Sequence, residues 1–308
     1  MTHSSLSAVR RFPVILTLLP LLALLAAVPA RACTLFGAAG DAVEGGGTLV
    51  AKNRDFAPSS RMRLEVVAPV APQTGYRYLS LSGSHGGRLV RARAGINEKG
   101  LVLATAAANT LERRLRHLGR PGLADRLLRE CASVDEVLGR GNELAEARPG
   151  FYLVGDAREV AVIEIGPKGA VAVRRTESGA LTHTNHYLDP RLRELNTLPY
   201  VSSVRREERV CRLLGDVVRP LCLEDARRFA ADREDGPDDG IFRTGGTPDG
   251  VRTLASWLVL IPPSGAPTLS VRLFNTGEAG QSVDMALDDA FWSRAEPGPL
   301  FPPAAPAN

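Results

Sequence analysis

Ala30-Arg31-Ala32-Cys33-Thr34-Leu35-Phe36-Gly37 and, further on, Lys52-Asn53-Arg54-Asp55-Phe56 are the stretches from which the rest of the chain can be read. Ala30 and Ala32 fit the small-residue positions of an A-x-A cleavage site, which places the cut between Ala32 and Cys33. Cys33 would then head the mature protein, with a thiol and a primary amine on neighbouring carbons. The thiol is a nucleophile, and an α-amine with an ordinary pKa of about 7.7–8.0 can take its proton. One residue would supply both nucleophile and base.

Two other readings of Cys33 stay open at this point. It could carry the lipid of a bacterial lipoprotein, although Ala30-Arg31-Ala32 lacks the large aliphatic and small uncharged residues usual before a lipidated cysteine. It could also be an ordinary buried thiol.

Upstream, residues 1–32 read as a signal peptide, with Arg10-Arg11, an apolar run over 14–27, and Pro29 before the cleavage site. The apolar run is too short for a convincing membrane span, so no stable membrane insertion is expected after cleavage. The arginine pair lacks the flanking pattern of a twin-arginine signal. Export by the general secretory route to the periplasm or the outside is expected.

The leader holds Arg10, Arg11 and Arg31 and no acid, so its loss takes the formal charge from +4 to +1. No basic-aromatic array accompanies that charge, and nucleic acid is not an expected partner. Of 308 residues, 308 − 32 leaves 276, enough for one large catalytic domain over 33–295. The Pro- and Ala-rich stretch 296–308 reads as a disordered tail. Four cysteines make no disulfide scaffold. Cys211 and Cys222 could pair in an oxidising compartment or serve as core thiols.

Downstream of Cys33, residues 33–39 and 47–53 read as strands around the glycine-rich turn 41–47. A hairpin centred near Glu44 brings Asp55 within a residue or two of Cys33. Taken alone, Lys52, Arg54 and Asp55 could equally be a solvated charge cluster. Strands follow over 64–67 and 76–81, then a flexible turn Ser82-Gly83-Ser84-His85-Gly86-Gly87. Arg91 to Leu101 reads as strand, turn and strand, with Asn97 closing local hydrogen bonds in the turn. A helical period runs over 122–144, with a capping box at Ser133-Val134-Asp135-Glu136 opening a second helix. Strands at 151–155, 161–165 and 170–174 precede Leu181-Thr182-His183-Thr184-Asn185-His186-Tyr187. A helix then starts with Ser202 or Ser203 as N-cap, another covers 223–231, and 253–261 with 268–274 form a hairpin. His183 and His186 lack a third metal ligand nearby, and no G-x-S-x-G marks a serine triad.

With these motifs in order, the chain resembles the cysteine branch of the N-terminal nucleophile hydrolases. Within it, the likeness is to the penicillin-acyltransferase-like family, related to choloylglycine hydrolases and penicillin V acylases. Cys33-Thr34 resembles its mature N-terminus, and Lys52-Asn53-Arg54-Asp55 its R-N-x-D segment. Gly95-Ile96-Asn97-Glu98-Lys99-Gly100-Leu101 is similar to its G-x-N-E-x-G-L turn. Thr184-Asn185-His186 resembles its T-N-H strand end, and Ser202-Ser203-Val204-Arg205-Arg206 its S-S-x-x-R helix start. The resemblance implies an α+β fold, a four-layer αββα sandwich of two antiparallel sheets. It implies Cys33 as nucleophile and base, Asp55 as anchor of the amine, and Asn185 as an oxyanion donor through its side chain. The Asn97 turn would give a second donor through its backbone. Arg206 would support the site, with the register against Arg205 open by one. Lys52 departs from the arginine of many relatives and loses its bidentate fork.

The implied reaction is cleavage of a linear amide in a small-molecule substrate through a Cys33 thioester, resolved by water or another amine, with no cofactor. A dipeptidase of the same superfamily, which shares a K-N-x-D segment, is the alternative enzyme. A lipidated, non-enzymatic envelope protein is the alternative from another class. Assembly into a homo-oligomer is left open.

Overall fold

A turn of three glycines sets the geometry of the first hairpin. Gly45, Gly46 and Gly47 all have positive φ, and a Cβ on Gly47 would sit 2.1 Å from the Ile261 carbonyl oxygen. Only glycine lets the backbone turn that close to its neighbour. The turn pairs β1 (Ala32–Ala39) with β2 (Thr48–Phe56) antiparallel, from Ala39 opposite Thr48 to Ala32 opposite Asp55. Both strands are buried along their whole length, so both faces are covered.

The computed structural model describes residues 32–69, 74–301 and 305–306. The expected leader, apart from Ala32, lies outside the described residues. After the first hairpin come β3 (Arg61–Val67), β4 (Tyr78–His85), β5 (Arg88–Asn97) and β6 (Val102–Ala106). Three short helices follow, α1 (Leu123–Glu130), α2 (Val134–Gly139) and α3 (Gly141–Glu146). Next are β7 (Gly150–Gly155), β8 (Val160–Ile165), β9 (Val171–Thr176) and β10 (Gly179–His183). Then come α4 (Val201–Gly215), α5 (Leu223–Ala230), α6 (Gly236–Asp239), β11 (Arg252–Ile261), β12 (Thr268–Leu273) and β13 (Gln281–Ala286). The chain closes with α7 (Asp289–Arg294) and β14 (Gly298–Pro299).

The strands form a six-stranded sheet ordered β10-β1-β2-β11-β12-β13 and an eight-stranded sheet ordered β14-β3-β4-β5-β6-β7-β8-β9. All their pairings are antiparallel. Side chains alternate across each strand, so one strand feeds two apolar layers. Leu35 and Val50 enter the core between the sheets with Leu153, Trp257 and Val271. Phe36, Ala38, Leu49 and Ala51 face the other way, against Val210 of α4 and Phe229 of α5. A third layer joins Leu103 and Ile163 to Leu127 and Leu128 of α1 and Val137 of α2. Three apolar layers between four layers of structure make the expected αββα sandwich.

Several local expectations need correction. β4 runs on through His85, and the turn is confined to Gly86-Gly87. The second helix breaks at Arg140 into α2 and α3, although Ser133 caps it as expected. Helix α4 begins at Val201 with Tyr200 as N-cap, so neither Ser202 nor Ser203 caps it. Cys211 and Cys222 are both free thiols, the first exposed and the second half-buried. Neither is a core thiol.

The segment from 296 onward, expected to be disordered, is partly ordered. β14 pairs with Val66 and Glu65 of β3, and the Leu300 N–H donates to the Leu64 carbonyl at 2.8 Å. Leu300 and Phe301 pack on the core between the sheets. An edge strand needs a partner for its outer backbone groups, and these two apolar residues hold one in place. Composition alone hid that.

Asn275, just beyond β12, extends the same cover. Its Oδ1 accepts the Met62 N–H at 2.7 Å and its Nδ2 donates to the Met62 carbonyl at 2.9 Å, which ties the two sheets together. Asn275→Ala should therefore lower stability by about 1–3 kcal/mol for each buried backbone group left unpaired. A fall in the urea unfolding midpoint, with the fold otherwise kept, is the expected result.

Candidate active site

Two strand registers converge on Cys33. The β1–β2 pairing sets Cys33 opposite Arg54. The β1–β10 pairing sets Leu35 opposite His183, and two residues further along it leads to Cys33 and Asn185. The first residues of β1 thus lie between the end of β2 and the loop after β10.

The thiol side of Cys33 faces cations. Arg54 Nη1 is 3.8 Å from Cys33 Sγ, and the Lys52 ammonium lies beside the same sulfur while donating to the Thr105 carbonyl of β6. Burial pushes the thiol pKa up, but Lys52 and Arg54 outweigh it, and the thiol titrates below its ordinary value despite Asp55. Burial also pulls Lys52 below its usual value, an effect the sulfur's negative charge opposes. Lys52, Arg54 and Asp55 are 0%, 4% and 0% exposed, which removes the solvated-cluster reading.

The nitrogen side meets a polar cradle. In the continuous chain this nitrogen belongs to the Ala32–Cys33 peptide bond; it occupies the place of the α-amine in a chain that begins at Cys33. It donates to Asn185 Oδ1 at 2.7 Å. Asn185 is itself fixed: its backbone N–H donates to Ser203 Oγ at 2.7 Å and its Nδ2 to the Ala107 carbonyl at 2.9 Å. Arg206 Nη2 donates to the same Oδ1 at 3.1 Å, while Nη1 donates to the Cys33 carbonyl at 2.6 Å and to Thr34 Oγ1 at 3.1 Å. Burial lowers the Arg206 pKa to about 10, which leaves it charged at neutral pH. Arg205 points outward to Asp239, so the open register resolves to Arg206.

Asp55 lies opposite Ala32. Its Oδ1 accepts from Thr253 Oγ1 at 2.8 Å, and its Oδ2 has no partner among the described residues. Burial raises its pKa against the pull of Arg206, Arg243 and Lys52. A fully buried carboxylate oxygen without a donor is costly, and such an orphan asks for a partner that the described residues do not provide.

The two histidines serve separate partners. His183 Nε2 is 3.1 Å from Glu164 Oε1 on β8, and His186 Nδ1 is 2.9 Å from Ser203 Oγ. Burial lowers the His186 pKa to about 4, so it is neutral at neutral pH. Asn97 does not join the site. Its backbone N–H donates to the Leu101 carbonyl, and its Nδ2 donates to the carbonyls of Leu128 and Cys131 at 2.8 and 2.7 Å. Its turn opens β6 at Val102, whereas the site meets β6 at Thr105. The oxyanion role is therefore replaced by the local hydrogen bonding of a turn asparagine.

Sequence reading missed Arg54, Ser203 and Thr253 as members of this constellation. Arg54 had a signal, since period two puts it on the face of Lys52, towards Cys33. Ser203 also had one, in the Ser202-Ser203-Val204-Arg205-Arg206 helix start, whereas Thr253 had none, because it acts across a strand pairing that only the fold creates.

Comparison with known proteins places this arrangement. The four-layer sandwich is that of the N-terminal nucleophile hydrolases. Two solved structures of mutant conjugated bile acid hydrolase from Clostridium perfringens match it, each 14% identical in sequence. One covers 87% of this chain and 97% of its own with a TM-score of 0.53, the other 90% and 97% with a TM-score of 0.52. Residues 43–275 match the family described as acyl-coenzyme A:6-aminopenicillanic acid acyl-transferase, and the chain belongs to that family of amide-cleaving and acyl-transferring enzymes. A search of curated proteins finds no match. The family match begins after Cys33, which the β1–β2 register ties to it.

Asn97→Ala should lower stability by about 1–3 kcal/mol for each buried carbonyl it leaves unpaired, read as a fall in the urea unfolding midpoint. Turnover per folded molecule should stay at the wild-type value. A loss of kcat without a loss of stability would return Asn97 to the site.

Proposed function

We propose that the protein is an exported cysteine amidohydrolase or acyltransferase, made as a precursor and activated by cleavage between Ala32 and Cys33. The mature enzyme cleaves a linear amide through a thioester on Cys33. The observation that carries this reading is that one residue presents both its nitrogen and its sulfur to a buried polar site. The nitrogen meets Asn185 Oδ1 at 2.7 Å, the sulfur meets Arg54 at 3.8 Å, and an unpartnered Asp55 oxygen lies across the strand pair.

In the precursor the Cys33 nitrogen is an amide and has no basicity. Cleavage turns it into an amine that takes the thiol proton, and the Asp55 carboxylate gains the cation its free oxygen lacks. The sulfur attacks the carbonyl carbon. The oxyanion takes the second N–H of Asn185 Nδ2, whose first is held by Ala107. The ammonium then protonates the leaving amine, and the S–C bond of the thioester remains. Water or a second amine attacks the thioester, gives its proton to the Cys33 amine, and releases the thiolate. Arg206, fixed on the Cys33 carbonyl and on Asn185, keeps both halves in place. The residue pattern of 1–32 supports the periplasm or the exterior as the place of action. The substrate class is a linear amide; the acyl group and the amine are not specified by these residues.

The test blocks the amine and keeps the thiol. A form with one uncleaved alanine before Cys33 should lose turnover of an amide that the mature enzyme cleaves, while its thiol remains titratable. Full activity in the extended form would falsify the amine as base. In the mature enzyme, Asn185→Ala should lower kcat by about 10²–10³, read by steady-state kinetics on the same amide. Asp55→Asn should also act on kcat, because it removes the charge that steadies the ammonium. Wild-type kcat in either variant removes that residue from the mechanism.

A further inference from the structure

We propose that Arg54 is a catalytic residue of this site: its guanidinium receives the negative charge of the Cys33 sulfur once the proton has passed to the α-amine. The proposal rests on the reading of Cys33 as nucleophile and goes beyond it.

Position comes first. Arg54 lies directly across β1–β2 from Cys33, with the two side chains on one face. Nη1 stands 3.8 Å from Sγ and also donates to the Asp55 carbonyl at 3.3 Å, which ties the guanidinium back to its own strand. The group rests on the Phe56 ring, 4.4 Å from its centroid, and that ring packs edge-on against His85. A cation held from behind by an aromatic face and from one side by its own backbone has little freedom to leave the sulfur.

The second observation is what Arg54 lacks. It is buried, its Nε has no partner, and among the described residues no carboxylate reaches it. Arg209 is a contrasting case, since it meets both oxygens of Asp232, at 3.1 and 2.6 Å. A buried cation without a counter-charge is costly to the fold. The site itself supplies the missing charge when the thiol ionises.

Lys52 shares the sulfur with Arg54, and the remaining charged groups are committed or set further back. Lys52 donates to Thr105 and is pulled towards neutrality by burial, whereas a guanidinium stays charged. Arg206 spends its donors on the Cys33 carbonyl, Thr34 and Asn185. Asp55 opposes ionisation of the thiol. Arg93 of β5 acts on Lys52, Arg243 acts on Asp55 and Arg206, and Glu207 acts on Arg206. In the step itself the Sγ proton moves to the α-amine nitrogen, Arg54 keeps all its protons, and a hydrogen bond from Nη1 to the sulfur becomes charge-assisted on both sides.

The experiment expresses the full chain, recovers processed protein and follows alkylation of Cys33 by iodoacetamide with mass spectrometry across pH. In that reaction the thiolate displaces iodide, so the rate reports the thiolate fraction. The wild-type inflection should lie below the ordinary thiol value of about 8.5. Arg54→Met keeps the packing on Phe56 and removes the charge; the inflection should move up by about one to three pH units. Arg54→Lys should restore most of the difference, and the acid limb of kcat/KM should follow the same order. Measured below the inflection, where the thiol is neutral, the unfolding midpoint of Arg54→Met should equal or exceed the wild-type value, because a buried cation without a counter-charge has gone. An unmoved inflection with Cys33 still reactive overturns the role of Arg54 and leaves Cys33 as nucleophile. A lowered midpoint, or a variant that does not fold, marks a structural arginine and overturns the proposal too. Absence of any alkylation at Cys33 in the wild type is a separate outcome, which fails the nucleophile reading and Arg54 with it.

Discussion

The grip of Arg206 and Asn185 on the backbone of Cys33 is the contact around which the site is arranged. One guanidinium reaches the Cys33 carbonyl and Asn185 Oδ1, and that same oxygen takes the Cys33 N–H. Three elements meet there: β1, the loop after β10, and α4. Hydrogen bonds that involve a charged group are stronger than neutral ones, and burial excludes the water that would compete for them. Ser203 secures the arrangement from α4 by accepting the Asn185 N–H. The helix start therefore positions the strand end, although Ser203 caps nothing.

The buried charges of this site run against ordinary packing. Lys52, Arg54 and Arg206 sit almost without exposure between and beneath two sheets, where apolar side chains would be less costly. The sandwich can carry them because its three apolar layers are large and continuous, with Leu35, Leu79, Leu153 and Val259 in the central one. Stability comes from the layers. The charged end of β1 and β2 is where the structure gives up packing for chemistry.

Much of this was legible in the residues. The β1–β2 hairpin followed from the glycine turn, and period two within β2 put Lys52 and Arg54 on one face. The order of motifs led to the sandwich, and it named Cys33, Asp55, Asn185 and Arg206, which the fold brings to one end of β1 and β2. What escaped was non-local. Asn97 sits in a motif of the right type, but its turn lies at the far end of β6, and only the sheet order shows that. Thr253 reaches Asp55 through the β2–β11 pairing, which no local pattern announces. Strand β14 was hidden because proline-rich composition outweighed Leu300 and Phe301, two residues whose value depends on an open edge at β3.

The burial of β1 also bears on the order of events in the life of the molecule. Ala32 and Cys33 are 3% and 1% exposed, and Ala32 is paired with Asp55 as part of the sheet. A protease needs an extended, accessible segment on both sides of the bond it cuts, and the folded sheet gives no access to this one. If the chain is cut between Ala32 and Cys33, as proposed, the cut belongs to the time before β1 has paired. On that schedule maturation precedes folding, and the sheet assembles around a terminus that already exists. On the same proposal, a chain that folded uncut would bury the Ala32–Cys33 bond in the sheet and stay in the precursor form.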